Sequence, residues 1–344
     1  MRYAITGATS YTGRYLSNLL LSSAPPGVPP ATGAASTTIL NLSSRPRPIA
    51  THNLPPEMMQ SIHSQPLCFD DPASLTASLS GCDALFATYW IRFEAAGDTH
   101  AEAAERARTL FSCAAAAGVK KIVFSSHTRA SEGSPFSYIK GKATAERYLR
   151  EIAAERNINY AIVRPCGIFG DTPAESILMN NASYVLRRAP LFLCAGDGST
   201  RFQPVHVRDM AELMAELGTS TGSSGEELDA TGPDAPTSLE LFRALAKASG
   251  AFHGGLGVLP SYLPNSVVTL LTKPIDLLTG DTLLDGDDLA LLTSGLTVAN
   301  DPSDPRIAKR RSLFEWIESE GVKGKLGETY VSSFQQYYYP RERK

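Results

Sequence analysis

Short apolar runs alternate along the first half of the chain with longer segments whose apolar residues recur at helical spacing. A short run of β-branched and apolar residues is typical of a buried strand, and a longer helical periodicity is typical of an amphipathic helix. Strands that alternate with helices form βαβ units, so the pattern predicts a parallel sheet with helices on both faces. The strands predicted in this part are residues 3–6, 38–42, 66–69, 83–89, 119–126 and 160–165.

The second half of the chain departs from this alternation after residue 170. A helix and strand pattern returns over 208–249, and from about residue 255 the chain is leucine-rich with proline interruptions. That composition suits a small helical lid over the substrate. The expected division is an α/β dinucleotide-binding domain over 1–250, with 170–200 inserted toward the substrate site, and a mainly helical lid region over 251–344.

Composition narrows the class of protein. The chain is 43% hydrophobic and 19% charged, and its formal net charge of -3 gives no reason to expect a nucleic acid partner. The five cysteines include no C-x-x-C pair, which favours a reducing compartment and argues against a metal site. No apolar run is long enough for a membrane span, and the chain does not begin with a signal-peptide pattern. We expect a cytoplasmic protein with a small-molecule substrate, and a homodimer is a candidate assembly.

A glycine turn follows the first predicted strand and leads directly into a helical pattern. Strand, tight turn and helix in this order are the context that a dinucleotide-binding loop needs. Gly7 allows a sharp exit from the strand, and Gly13 allows the helix to pack close to the sheet, so that first-turn N–H groups face a pyrophosphate. Ser10 stands where the usual pattern has its middle glycine, and an ordinary strand–helix turn is the alternative. The expected cofactor contacts are Gly7, Thr9, Ser10, Tyr11, Thr12 and Gly13.

The end of the second strand bears on the choice between NADP and NAD. An acidic residue there would accept hydrogen bonds from the adenosine ribose and repel a 2′-phosphate. This chain has Ser44 and Arg45 instead, which suit a phosphate, so the sequence favours NADP over NAD. A solvated arginine at a loop start is the alternative. Asp70, after the third strand, is a candidate acceptor for the adenine amino group or a helix N-cap.

Tyr138 and Lys142 carry the strongest chemical signal. They stand four residues apart at the start of a predicted helix, so their side chains share one face. A nearby ammonium favours the tyrosinate and brings the phenol toward the range of a general acid or base. The same ammonium can bond the hydroxyls of the nicotinamide ribose. The alternative is a half-exposed tyrosine beside a solvated lysine.

Together these motifs resemble the extended or atypical short-chain dehydrogenase/reductase superfamily. The residues that carry the likeness are the 6–13 loop, Ser44 and Arg45, the strand end at 124–126, Tyr138 to Lys142 with Glu146, and Arg164 with Pro165. Further runs at 88–93, 180–188, 196–198 and 203–209 look like its NAD(P)-binding, epimerase-like (NAD-dependent epimerase/dehydratase) group. The resemblance implies a Rossmann-type doubly wound sheet, an NADP-type cofactor and a site roofed by C-terminal segments.

The resemblance also implies a third catalytic residue, a Ser or Thr just past the fifth strand. Ser126 is the preferred candidate, and Ser125 and Thr128 compete with it. In some relatives the catalytic hydroxyl would fall where His127 stands. The remaining expected cofactor contacts are Ala87, Thr88, Lys142 and Pro165.

Several side chains are weaker candidates for the substrate side. Open parallel sheets bind ligands beyond the carboxyl ends of their strands, which favours Tyr89, Trp90 and Arg92 after the fourth strand. Tyr89 or Trp90 could wall the nicotinamide pocket, and Arg92 could orient an anionic substrate, although core packing explains the tryptophan equally well. The other candidates are His127, His206 and, as a pocket-lining thiol, Cys166.

The sequence thus predicts an NADP-dependent oxidoreductase that acts on a carbonyl, alcohol or sugar-like compound. An epimerase would use the same residues twice, first to oxidise and then to reduce the bound substrate. A protein of another class, a redox sensor or assembly protein that binds NADP without turnover, is the alternative. The fold alone does not decide between them.

Overall fold

A computed structural model describes residues 1–22, 37–43, 54–94, 97–220, 225–262, 267 and 286–332. The strands are β1 (Arg2–Thr6), β2 (Thr38–Ser43), β3 (Ile62–Pro66), β4 (Ala84–Ala87), β5 (Lys121–Ser125), β6 (Asn159–Pro165), β7 (Ile168–Phe169), β8 (Phe192–Ala195), β9 (Val205–His206), β10 (Glu226–Ala230) and β11 (Val258–Ser261). The α-helices are α1 (Tyr11–Ser22), α2 (Pro56–Met59), α3 (Pro72–Leu79), α4 (His100–Ala116), α5 (Ser137–Arg156), α6 (Ile177–Arg188), α7 (Val207–Thr219), α8 (Ser238–Ala248), α9 (Gly286–Thr293) and α10 (Leu313–Val322), and short 3₁₀ helices cover Pro173–Glu175 and Ile307–Lys309.

Seven strands form the main sheet in the order β3-β2-β1-β4-β5-β6-β10. The pairs from β3 to β6 are all parallel. The chain moves outward in one direction from β1 to β3 and then continues on the other side of β1 with β4. This reversal makes a topological switch point at the carboxyl ends of β1 and β4, where open α/β sheets bind their ligands. The predicted Rossmann-type doubly wound sheet is confirmed.

The main sheet is buried on both faces. On one face α3, α4 and α5 cover a core that includes Leu85, Phe111 and Phe124, all of them almost fully buried. On the other face α7 packs on α1 and on β4, β5 and β6. Burial on both faces explains why the central strands read as continuous apolar runs rather than alternating patterns.

The third strand was predicted in the wrong place. It covers Ile62–Pro66, before the predicted 66–69 segment, and its side chains from His63 onward are exposed. The strand lies at the edge of the sheet, where among the described residues it pairs with β2 alone, so it needs no apolar run. The apolar residues that follow it serve the core instead, since Leu67 is buried and Phe69 packs against the same cluster.

By backbone contacts the chain divides into two compact units. The first consists of 1–165 with 207–229, and the second of 166–206 with 230–344. This division differs from the predicted boundary at 250, because α8 packs on α6 and α10 and therefore belongs with the second unit. The second unit has its own core, which includes Phe169, Leu245 and Trp316, and two small parallel sheets, β8 with β11 and β7 with β9.

Candidate functional site

The glycine loop, residues 7–13, joins β1 to α1 as a tight turn. Gly7 has a φ of +76°, which favours glycine, and its N–H donates to the Leu42 carbonyl at 2.8 Å. A Cβ on Gly13 would lie 1.9 Å from the Gly7 carbonyl oxygen, so only glycine fits there. The first turn of α1 therefore begins against the end of β1 and directs its N–H groups out of the helix N-terminus. This backbone cradle fits the pyrophosphate of a dinucleotide.

Two polar side chains that the sequence analysis missed support this loop. Asn41 on β2 is buried, and its Oδ1 accepts the Ala8 N–H at 2.8 Å while its Nδ2 donates to Ser64. The hydroxyl of Thr6 accepts the N–H groups of Thr88 and Tyr89, at 2.7 and 2.8 Å. Thr6 thus ties the end of β1 to the segment after β4, next to the buried Ala87. An isolated polar residue inside a predicted strand gave no signal of this role.

Of the residues predicted to contact the adenosine half of the cofactor, only Asp70 lies within the described part of the chain. Ser44 and Arg45 lie outside the described residues. Asp70 is not the N-cap of α3. That position belongs to Asp71, whose carboxylate accepts the Ser74 N–H at 3.0 Å. The capping alternative for Asp70 is therefore wrong, and its predicted contact with adenine stays a prediction.

Tyr138 and Lys142 lie in the first turns of α5, beside the end of β5. The Lys142 ammonium donates to the Ser125 carbonyl at 2.7 Å. It also lies 4.2 Å from the ring centroid of Trp90, 5.1 Å from that of Phe124 and 6.0 Å from that of Tyr138. We call Tyr138, Lys142, Trp90, Phe124 and Ser126 the lysine cluster. Lys142 is 3% exposed, so the alternative of a solvated lysine is wrong, whereas Tyr138 is partly exposed.

Burial sets the protonation behaviour of Lys142. Loss of hydration lowers the pKa of its ammonium to about 7, and the carboxylate of Glu146, one turn along α5, opposes that shift. The carbonyl of Ser125 and the ring faces act in the same direction as Glu146, since each attracts a cation. Lys142 can therefore exchange a proton near neutral pH.

Two histidines flank the ring of Tyr138. The His100 and His127 rings meet it edge to face, with centroids 5.3 and 5.6 Å away. His127 Nδ1 lies 2.6 Å from the Thr128 carbonyl, which can only accept, so this nitrogen carries the proton. His100 Nδ1 lies 2.9 Å from the Ser137 hydroxyl. His127 was a weak sequence candidate, whereas His100 was missed because it begins a helix far along the chain from α5.

The candidates for the third catalytic residue have different surroundings. Ser126 is buried, and its hydroxyl finds no hydrogen-bond partner within the described part of the chain. Its N–H donates to the Val163 carbonyl at 2.7 Å, which fixes its backbone against β6. The carbonyl of Ser125 already accepts from Lys142. Thr128 is fully buried, and its N–H donates to the Pro165 carbonyl at 3.1 Å. Among the serines, Ser126 has the buried hydroxyl that a ligand could satisfy.

A network of two glutamates and two arginines, which we call the Glu146 network, lies behind Lys142. Arg164 on β6 binds both carboxylate oxygens of the buried Glu146, at 2.8 and 2.7 Å. Arg150 donates to Glu146 at 2.7 Å and to Glu227 on β10 at 2.6 and 2.9 Å. Hydrogen bonds from Arg150 lower the pKa of Glu227. The network joins α5, β6 and β10 and positions the charge that faces Lys142.

The other predicted substrate residues have structural partners. The Tyr89 hydroxyl accepts from Arg106 at 3.4 Å, and its ring packs on Phe69 at 4.7 Å between centroids. The Arg92 guanidinium lies over the Phe93 ring. In the second unit, the Cys166 thiol donates to the Gln203 carbonyl and the buried His206 meets the Phe169 ring edge to face. Within the first unit, Trp90 and His127 of this group contact the ring of Tyr138.

The family model that describes the NAD dependent epimerase/dehydratase family matches residues 3–228, well over half of the chain. The chain belongs to this family. The matched segment contains the glycine loop, the lysine cluster and the Glu146 network. The family and its structural neighbours are NAD(P)-dependent oxidoreductases, epimerases and dehydratases.

Solved structures share the fold at low sequence identity. An NADPH-dependent quinone oxidoreductase from Escherichia coli, complexed with NADPH, has a TM-score of 0.65 at 22% identity, over 92% of this chain and 99% of that one. A triphenylmethane reductase from Citrobacter sp., complexed with NADP(H), has a TM-score of 0.68 at 15% identity, over 93% and 100% of the two chains.

One curated relative is a subunit of a mitochondrial NADH dehydrogenase. NADH dehydrogenase (ubiquinone) 1 alpha subcomplex subunit 9, mitochondrial, from Dictyostelium discoideum is 27% identical over 234 residues, which is 67% of this chain. The match covers 59% of that relative's length. Across the ranges that the structure describes, no helix is both long and apolar enough to cross a membrane. The same ranges contain no group of three or more His, Cys, Asp or Glu side chains suited to a metal ion.

Proposed function

We propose that the protein is an NADP-dependent oxidoreductase of the short-chain dehydrogenase/reductase type, acting on a carbonyl, alcohol or sugar-like small molecule. The observation that carries this proposal is the lysine cluster. Lys142 and Tyr138 share one face of α5, and the Lys142 ammonium is held at the carboxyl end of β5 by the Ser125 carbonyl. That is the edge of the sheet where this fold binds its ligands.

Each residue of the site has a distinct role in the proposed reaction. When bound, the nicotinamide supplies or accepts a hydride. Tyr138 gives a proton to the substrate oxygen or takes one from it, and the charge of Lys142 makes its tyrosinate accessible. Ser126, whose hydroxyl has no hydrogen-bond partner among the described residues, donates to the same oxygen. Lys142 also bonds the nicotinamide ribose.

The rest of the proposed site consists of cofactor contacts and substrate contacts. The cofactor contacts are the glycine loop with Thr9, Ser10, Tyr11 and Thr12, the pair Ser44 and Arg45, and Asp70, Ala87, Thr88 and Pro165. The substrate contacts are Tyr89, Trp90, Arg92, His127 and His206. We propose the C-terminal region as the substrate cover and a homodimer as the assembly.

The preference for NADP rests on Ser44 and Arg45, and two structural neighbours were solved in complex with NADPH or NADP(H). A lost charge-assisted contact costs about 1.5–3 kcal/mol, so NADPH should bind roughly tenfold to a hundredfold more tightly than NADH. Titration of both cofactors measures the difference. Equal affinities, or an Arg45→Ala variant with unchanged NADPH affinity, would contradict the preference.

The test of the proposed chemistry compares tyrosines on the same helix. Tyr138→Phe should leave NADPH binding nearly intact and lower turnover by about 10²–10⁴. Tyr148→Phe is the matched control, since Tyr148 also lies on α5 but hydrogen-bonds Glu105. Lys142→Ala should reduce both binding and turnover. The assay needs a panel of aldehydes, ketones, enones, quinones and nucleotide sugars. Turnover that survives Tyr138→Phe undiminished would move the proton donor elsewhere, with His127 the next candidate.

A second candidate function is supported by the curated relative, whose name describes a subunit of a mitochondrial NADH dehydrogenase. In this case the protein binds a dinucleotide without turnover and acts as a structural or redox-sensing part of an assembly, in the mitochondrion rather than the cytoplasm. NADPH binding without turnover of any panel compound, together with co-purification of a large complex, would favour it. An epimerase would interconvert a nucleotide sugar without net consumption of NADPH.

A further inference from the structure

The indole of Trp90 covers the ammonium of Lys142. The nitrogen lies 4.2 Å from the centroid of the indole ring, and it donates a hydrogen bond to the Ser125 carbonyl. The Phe124 ring lies 5.1 Å away, and Lys142 is 3% exposed. The ammonium is therefore enclosed by a carbonyl and ring faces.

This enclosure matters for the role of Lys142 under the proposed function, on which the present inference rests. A ribose hydroxyl must come within about 3 Å of the nitrogen to accept a hydrogen bond from it. Because Lys142 is 3% exposed, a hydroxyl can reach this nitrogen only if a group that covers it moves, and the indole is the nearest of the rings around it. We propose that Trp90 and the nicotinamide ribose compete for the Lys142 ammonium, so that Trp90 must move away before the nicotinamide half of the cofactor binds.

The surroundings of Trp90 are consistent with a side chain that can leave. Its indole N–H is buried and has no hydrogen-bond acceptor among the described residues. If the indole moves away, no hydrogen bond to those residues is lost. It lies in the segment between β4 and α4, where residues 88–94 form neither helix nor strand. Movement of Trp90 therefore does not require the sheet to change.

Contacts with α4 and α5 define the covered position. The indole is parallel to the His100 ring, with an interplanar angle of 7° and centroids 6.5 Å apart. A Cβ on Gly141 would lie 3.2 Å from the indole and 2.9 Å from the His100 carbonyl, so the glycine on α5 gives the indole its place. Since a cation–π contact with a buried ammonium is strong, removal of the indole should make the nicotinamide half bind about tenfold more tightly.

The experiment measures two ligands by calorimetry on wild type and Trp90→Ala. NADPH contains the nicotinamide riboside, whereas 2′,5′-ADP contains only the adenosine half. Competition predicts that Trp90→Ala tightens NADPH about tenfold and leaves 2′,5′-ADP unchanged. Trp90→Phe, which keeps a ring face, should give an intermediate gain. Trp316→Phe is the control, since Trp316 is the other tryptophan of the chain and packs in the second unit.

A second readout follows the indole directly. In the Trp316→Phe variant the tryptophan fluorescence comes from Trp90 alone. NADP⁺ should shift its emission to longer wavelength as the indole leaves its buried place, and 2′,5′-ADP should not. Weaker or unchanged NADPH binding in Trp90→Ala would overturn the competition and make Trp90 a fixed wall of the pocket. If wild type binds neither ligand, the proposed function itself is wrong. If wild type binds both ligands and Trp90→Ala does not tighten NADPH, only the competition is wrong.

Discussion

The glycine loop and the lysine cluster lie at carboxyl ends of strands in the same sheet but are built in different ways. The loop is shaped by backbone: Gly13 is obligatory because a Cβ there would overlap the Gly7 carbonyl. The lysine cluster is shaped by side chains from β5, α5 and the segment after β4, which enclose a charge. Under the proposed function, the backbone of the loop holds the dinucleotide and the enclosed charge of Lys142 takes part in the chemistry. The two regions should therefore respond differently to substitution.

The largest expected effect is in the glycine loop. Gly13→Val should abolish dinucleotide binding and cost about 3 kcal/mol or more in the free energy of unfolding, because the clash is with backbone that cannot move aside. Gly133→Ala is the matched control, since a Cβ there would approach nothing closer than a side-chain oxygen at 3.8 Å. Urea unfolding and NADPH titration check both variants. A Gly13→Val protein of native stability that binds NADPH normally would show that the loop has been misread.

The next largest effect on stability is expected in the Glu146 network, which lies behind Lys142. Glu146→Gln should cost about 3–5 kcal/mol in the free energy of unfolding, because it leaves the half-buried Arg164 without its bidentate carboxylate. Glu151→Gln on the same helix removes an exposed partner of Arg147 and should leave stability almost unchanged. Similar stability losses in the two variants would contradict the special position of the Glu146 network.

Lys142 gives the cluster a dependence on pH that the loop lacks. Its pKa is lowered by burial to about 7 in the folded chain, whereas in the unfolded chain it is near the ordinary value of about 10.4. Between these values the unfolded chain binds more protons, so this residue makes stability rise with pH, by at most about 1.4 kcal/mol per pH unit. Below pH 7 Lys142 is protonated in both the folded and the unfolded chain, so its destabilising effect is at its maximum and no longer changes with pH.

Lys142→Met removes this term, so the variant should be more stable than wild type at pH 6, and the difference should shrink toward pH 10. Urea unfolding of both proteins at pH 6, 8 and 9.5 measures it. Stability curves that run parallel across this range would show that Lys142 is not enclosed as described.

The smallest expected effect separates stability from function within the cluster. Ser126→Ala removes a buried hydroxyl that lacks a partner in the described structure, so the free energy of unfolding should stay the same or rise by about 1 kcal/mol. Turnover should fall at the same time, because the substrate oxygen loses a donor. A clear loss of stability in thermal unfolding would show that this hydroxyl has a structural role.

The sequence predicts the glycine loop and the Tyr138–Lys142 pair because each is encoded by residues close together along the chain. The edge strand β3 could not be predicted in the same way, since an edge needs no apolar run and its residues are polar. The partners of Lys142 are also beyond sequence patterns. Trp90, which follows β4, reaches it because the strand order puts β4 beside β5. Glu227 meets Arg164 across 63 residues because β10 lies beside β6.

The first compact unit is discontinuous along the chain, and this determines the order in which it can be completed during synthesis. Residues 1–165 emerge from the ribosome first, then the 166–206 segment of the second unit, and only afterwards α7 and β10. Until then, one face of β4, β5 and β6 lacks the helix that covers it, and Arg150 and Arg164 lack Glu227. A nascent chain at this stage exposes apolar sheet surface and an incompletely paired cluster of arginines, the kind of intermediate that chaperones bind.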